Sequence, residues 1–158
     1  MKALYGLCLG LSLCVPGWAE ARSGVLRSHS ILQVEIENKR NAEGRKIPDD
    51  SVPDLREQLL AVIVNLHLFR QVGDYTDSKV TAPAGEAGTV LLRLRITGYT
   101  GAQNNSGVTA MAHFIDQASG KELLQEKVTA QLHYDQGALS GALRKLARST
   151  AELVKNCW

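Results

Sequence analysis

The stretch Thr89-Val90-Leu91-Leu92-Arg93-Leu94-Arg95-Ile96-Thr97 constrains the fold more than any other part of the sequence. Val90, Leu92, Leu94 and Ile96 fall on one side of it, and Arg93, Arg95 and Thr97 on the other. Successive side chains of a β-strand point to opposite faces, so this period of two marks a strand with one buried face. Such a strand needs partners in a sheet and a second layer over its apolar side. Ser30-Ile31-Leu32-Gln33-Val34-Glu35-Ile36-Glu37 has the same pattern, with Leu32, Val34 and Ile36 inward and Gln33, Glu35 and Glu37 outward. Residues 108–115 and 121–134 read as two further strands. Asp116-Gln117-Ala118-Ser119-Gly120 joins them as a hairpin connection. There Asp116 can accept from the turn amides, and Gly120 can take positive φ.

Two amphipathic helices supply the covering layer. Ser51-Val52-Pro53-Asp54 reads as a helix start, with Ser51 and Asp54 as a capping box and Pro53 in the first turn. Leu55, Leu59, Val62, Ile63, Leu66 and Phe69 then draw one stripe along a helix to about Phe69. A second helix starts near Gln136 and carries its stripe on Leu139, Leu143, Leu146, Leu153 and Val154. Residues 38–50 read as an exposed loop, and Gln71-Val72 as a brief extension. Residues 73–88 read as an irregular connection, and residues 98–107, rich in Gly and Asn, as a turn or mobile loop. The order strand, helix, strand, strand, strand, helix predicts an α+β two-layer sandwich. Its mixed sheet has about four strands, and helices at about 53–69 and 138–156 lie on one face. Residues 22–158 form a single domain.

The first 21 residues carry an address. Met1 and Lys2 lead into an apolar run from Ala3 to Val15, and Pro16-Gly17 and Trp18-Ala19-Glu20-Ala21 follow. The run is about a dozen residues long, against roughly 20 for a membrane span. A charged start, a short apolar core and small residues at the end make a cleavable signal peptide, cut after Ala19 or Ala21. Leu13 precedes Cys14 and Leu7 precedes Cys8, whereas acylation needs a small residue there. The expected product is therefore periplasmic and not membrane-anchored, with association at the outer membrane as the alternative. Only Cys157 remains after cleavage, so no internal disulfide can form. It is expected as a partly buried thiol, the alternative being a bridge between two chains.

Composition excludes several functions. Eighteen basic and 16 acidic residues give a net charge of +2, far from a nucleic-acid footprint. Aromatics make up 5%, too few for a stacking platform. With the hairpin turn centred between Ala118 and Ser119, position 113 faces 124 and position 133 faces 104. His113 and His133 then stand about nine residues, or roughly 30 Å, apart, and no His-x-x-x-His or Cys-His cluster exists. Asp49, Asp50 and Asp54 suit the positive end of a helix better than a cation. No Gly-x-Ser-x-Gly motif and no phosphate loop occurs. Catalytic residues, metal ligands and cofactors are therefore expected to be none. The one surface constellation is Arg93 and Arg95 with Glu35 and Glu37. Their equal spacing on outward faces predicts cross-strand ion pairs, and the alternative is a partner-binding strip.

Leu55-x-x-x-Leu59-Leu60 with Leu68-Phe69-Arg70-Gln71-Val72, then Leu92-x-Leu94-x-Ile96-Thr97-Gly98-Tyr99, then Ile115-Asp116-x-x-Ser119-Gly120-Lys121-x-Leu123 and a closing helix form a recurring pattern. Over roughly residues 30–156 the chain resembles small envelope proteins of Gram-negative bacteria. These are the YajG-like and ABC-transport-auxiliary lipoproteins and, in fold, the TolB amino-terminal domain. The resemblance implies an α+β sandwich and a role in an envelope assembly or transport system. The expected function is a non-enzymatic periplasmic accessory or interaction protein, with a protein partner docking by strand addition or on the open sheet face. The alternatives are a carrier of a lipid or other apolar ligand and, further off, a hydrolase.

Overall fold

The computed structural model describes residues 23–40, 44–76, 88–102, 105–133 and 138–158. The signal segment, its two cleavage positions, Cys8 and Cys14 lie outside the described residues, as do most of the 73–88 connection and the position of Gln136. The elements in order are β1 (His29–Asn38), α1 (Ser51–Val64), β2 (Gln71–Asp74), β3 (Gly88–Ala102), β4 (Asn105–Asp116), β5 (Glu122–His133) and α2 (Ala138–Asn156). One five-stranded mixed sheet has the order β2-β1-β3-β4-β5. β2, β1 and β3 run parallel, and β3, β4 and β5 are antiparallel neighbours. Helix α1 packs on β1 and β2, α2 packs on β4 and β5, and the two helices touch each other.

The alternating pattern is what buries the core. Leu32, Val34, Val90, Leu92, Leu94, Ala110, Ala112 and Phe114 are fully buried on the helix side of the sheet. Leu55, Leu59 and Ile63 from α1, with Leu146, Ala147 and Val154 from α2, join them in one continuous cluster. Each large aliphatic side chain buried there contributes on the order of 1.5–3 kcal/mol. The small residues of β4 leave room for α2 to settle onto the sheet.

Sequence and structure part company in several places. The sheet has five strands, because Gln71-Val72 belongs to β2, whose Gln71 to Asp74 pair in register with Ile31 to Val34. Helix α1 ends at Val64, five residues before Phe69. His67 takes a left-handed backbone at φ 54°, which breaks the helical repeat much as a C-terminal glycine would. Arg70 N–H then donates to Ser30 O at 2.8 Å and starts the β2 pairing. Ser51 does not cap α1: Asp50 holds the cap position with no side-chain hydrogen bond. The turn before the helix bonds through its backbone instead, Ser51 N–H to Pro48 O at 3.0 Å.

Within the region read as a loop over 98–107, residues 98–102 belong to β3 and residues 105–107 to β4. A bulge between Ile96 and Gly98 shifts the register, and pairing continues to Ala102 and Asn105. Gly101 lets the Tyr99 ring lie over the strand, since a Cβ there would stand 2.3 Å from the Tyr99 hydroxyl and force that side chain to move. A second bulge, between Phe114 and Ile115, puts His113 opposite Gln125 and His133 opposite Asn105, one residue off the expected pairing. Within the 38–50 segment Ile47 is fully buried, and Asn38 Nδ2 donates to its carbonyl at 2.9 Å. That segment is therefore anchored to the core through Ile47.

Candidate functional site

The register of β1 and β3 sets Glu35 beside Arg93 and Glu37 beside Arg95. Arg93 Nε donates to Glu35 Oε2 at 2.6 Å, and Arg95 Nε to Glu37 Oε2 at 2.8 Å. Arg93 Nε also lies 3.5 Å from Glu37 Oε1. All four residues of the predicted constellation thus come together as cross-strand pairs, and both Nε–H donors are spent on carboxylates of the same chain. The Glu35 hydrogen bond raises the pKa of Arg93. Burial pushes Glu37 upward, but the hydrogen bond and charge of Arg95, joined by Lys39, outweigh it and hold Glu37 below its ordinary value. The pairs are half exposed, so each is worth roughly 0–1 kcal/mol. Their clearer role is to fix register.

The outer sheet face is not uniformly wet. Toward the β4–β5 turn, Gln33, Leu91 and Ile31 are buried on it. Gln117 Nε2 donates to Gln33 Oε1 at 2.5 Å, so the turn folds over this end. The expectation of a partly solvated face holds for Glu35, Arg93 and Arg95 and is corrected for Gln33, 5% exposed.

Sequence reasoning missed a second polar cluster. Ser28 Oγ and His29 Nδ1 are 3.2 Å apart, and His29 Nε2 and Asp116 Oδ2 are 3.0 Å apart. His29 begins β1 and Asp116 ends β4, with β3 between them. Gly88, the β3 residue paired with His29, provides the gap. A Cβ on Gly88 would lie 3.4 Å from His29 Cδ2 and 3.9 Å from Asp116 Oδ2. The other oxygen of Asp116 accepts the Ser119 amide at 2.8 Å and its hydroxyl at 3.0 Å. The Ser119 amide, the His29 ring and the Ser119 hydroxyl together lower the pKa of Asp116 to about 2. Gly120 takes φ 68° in this turn, as its sequence predicts.

Ser28, His29 and Asp116 therefore form a connected Ser–His–Asp chain, yet its surroundings are those of a staple. His29 is only 5% exposed, and the carboxylate is shared with the turn it caps. No local motif signals this cluster, because its members meet only once the β1–β3–β4 order is known. Among the described residues no group of three His, Cys, Asp or Glu side chains is placed to hold a metal ion. No helix among them is long and apolar enough to cross a membrane.

The sheet's two edges differ. At the β5 edge a shallow groove of about 470 Å³ runs between the strand and α2, with Val128 and Leu153 among its walls and Lys127, Arg148 and Glu152 at its sides. Lys145 Nζ donates to Gln131 O at 3.1 Å near this edge. At the β2 edge Arg56 of α1 reaches Asp74 at 2.9 Å. The outer side of α1 there forms a mainly apolar hollow of about 510 Å³ along Pro53, Leu60, Ala61 and Val64. Val64 is 48% exposed, and Tyr75, which follows β2, is 44% exposed.

No protein-family model matches this chain, and no curated protein matches it in sequence. Among solved structures, the dodecamer of a Leu-to-Met variant of PelC from Paraburkholderia phytofirmans aligns with a TM-score of 0.54 and 16% identity, covering 80% of this chain and 87% of that one. The PelC dodecamer without that substitution, in another crystal form, gives 0.53 and 13%, covering 82% and 89%. A minor lipoprotein from Acinetobacter baumannii gives 0.45 and 14%, covering 80% and 92%. At these identities the likeness to PelC is one of fold, and the chain shares that α+β fold over most of its length.

Proposed function

We propose that this protein is an exported, non-enzymatic accessory module of a Gram-negative cell envelope, which acts by being bound within an assembly. The observation that carries this reading is the pair of unlike end strands of one sheet. β5 is the end strand of the sheet, with twelve residues and a groove at its side. The β2 edge carries the exposed apolar Val64 and Tyr75. An end strand offers backbone groups to an added strand, and exposed apolar side chains beside it favour burial against a partner. The PelC proteins of similar fold are dodecamers, which supports assembly as the mode of action. The signal-like start supports the location.

The test is affinity purification of the tagged protein from crosslinked cells, with fractionation of periplasm and membranes. Recovery in the periplasmic fraction, with a reproducible set of envelope proteins or further copies of the chain, is the expected result. A cytoplasmic product, or a purified protein that turns over an ester substrate through Ser28, would overturn the proposal.

A further inference from the structure

We infer that Ser28 is a modification site: its hydroxyl accepts an acyl group from an activated ester or thioester, and His29 takes the proton. The inference is independent of the assembly reading above. Ser28 is exposed in the turn that leads into β1, whereas His29 is 5% exposed. The contact of 3.2 Å between Ser28 Oγ and His29 Nδ1 therefore joins a surface hydroxyl to a buried base. The Asp116 contact, 3.0 Å from His29 Nε2, sets the direction of the hydrogen bonds. An ionised carboxylate only accepts, so in the neutral ring Nε2 carries the hydrogen and Nδ1 keeps its lone pair. Ser28 O–H then donates to Nδ1. A hydroxyl in reach of a base that a third group orients is the arrangement of an activated nucleophile.

Asp116 is held in the form this needs. Its Oδ1 accepts the Ser119 amide at 2.8 Å and the Ser119 hydroxyl at 3.0 Å, which leaves Oδ2 for the imidazole and keeps the carboxylate ionised. In the step itself, Ser28 Oγ bonds to the donor's carbonyl carbon as its proton passes to His29 Nδ1. The bond from that carbon to the donor's oxygen or sulfur breaks, and the leaving group takes the proton from His29. The ring ends neutral, and nothing is oxidised or reduced. The imidazolium formed on the way faces the Asp116 carboxylate, which stabilises it. The ester persists because the burial of His29 leaves little room for a hydrolytic water at Nδ1. An acyl group suits the site better than a phosphoryl group: Arg27, the base next to Ser28 in the sequence, donates through Nε to the Trp158 carbonyl and is tied to the chain end.

The test is to treat the purified folded protein with p-nitrophenyl acetate and to follow acetylation of each residue by peptide mass spectrometry. Ser23, also exposed, is the internal control. Ser28 should gain one acetyl group roughly 100-fold faster than Ser23, and faster by a similar factor than Ser28 in the urea-unfolded chain. Ser28→Ala should remove that label and leave the melting curve in place, since the side chain is exposed. Asp116→Asn should slow labelling of Ser28 roughly tenfold or more while Ser23 keeps its rate, and Asp116→Glu, which retains a carboxylate, should keep more of the rate. Equal labelling of Ser28 and Ser23, or a Ser28 rate unchanged by unfolding, overturns the inference and leaves the accessory reading standing. Equal loss in the two Asp116 variants would overturn the orienting part of Asp116. Continuous release of nitrophenol through Ser28 would overturn both the modification site, which must keep its acyl group, and the non-enzymatic reading.

Discussion

At the scale of single residues, Gly88 leaves room beside the contact between His29 and Asp116. The pair crosses β3 where that strand has no side chain. Gly88→Val should push the His29 ring aside, since a Cβ would already be in van der Waals contact with it at 3.4 Å and the γ-methyls would need further room. The expected cost is about 1–3 kcal/mol, read by chemical denaturation, and an unchanged midpoint would reject the gap as the reason for glycine. Asp116 carries a pH dependence. Its folded pKa, about 2, lies below the ordinary 3.8, so it contributes stability above about pH 4. That contribution is lost as pH falls through about 2. Asp116→Asn should cost on the order of 1–2 kcal/mol at pH 7, the full shift being discounted for the partly exposed carboxylate. The gap between variant and wild type should close between about pH 4 and 2. A gap that stays constant down to pH 2 would mean that shape, and not charge, is what Asp116 supplies.

At the scale of elements, the ladder between β1 and β3 gives a sharper test than its energy suggests. Arg93→Glu should cost about 1 kcal/mol or less. Glu35→Arg in the same chain should return part of the loss, and Glu37→Arg less of it. The reason is distance: Arg93 Nε lies 2.6 Å from Glu35 and 3.5 Å from Glu37. A double-mutant cycle by denaturation measures both couplings, and equal rescue at the two sites would contradict the parallel register. That ladder was legible in the sequence because two period-two strands carry charges at matching intervals. The four long strands and both helices were legible for the same reason: periodicity reports which side chains share a face. β2 was not, because four residues reading Gln-Val-Gly-Asp hold no period, and their strand state comes from pairing with β1. The far half of the β3–β4 hairpin was hidden by its glycines, which signal turns locally but here lie within paired strands, Gly101 against the Tyr99 ring. The end of α1 was hidden because Leu66 and Phe69 keep the helical spacing beyond the break at His67. The Ser28–His29–Asp116 cluster was out of reach for a different reason. Its partners lie 87 residues apart, and only the sheet order joins them.

At the scale of the whole molecule, the domain is closed by its own ends. Leu26 N–H donates to Cys157 O at 3.0 Å, and Arg27 Nε donates to the Trp158 carbonyl. The Trp158 ring meets Phe69 edge-on at 4.7 Å and 72°. Leu26 and Cys157 are both fully buried in the core cluster. The segment before β1, the turn after α1 and the residues after α2 therefore meet at one corner, and none can leave without exposing the others. Cys157 is the thiol that reports on this corner. Expected from the sequence as partly buried, it is fully buried, so a bridge between two chains would require the corner to open. An opening that exposes the thiol should then carry most of the free energy of global unfolding. Native labelling of Cys157 by a thiol reagent, located by mass spectrometry, should be slow and should accelerate with denaturant in parallel with loss of the fold. Leu26→Ala, which removes the side chain packed at that corner, should speed labelling and cost about 2–5 kcal/mol. Fast labelling in the folded protein, insensitive to Leu26→Ala, would show instead that the last turn of α2 frays independently. The corner would then play no part in holding the sandwich shut.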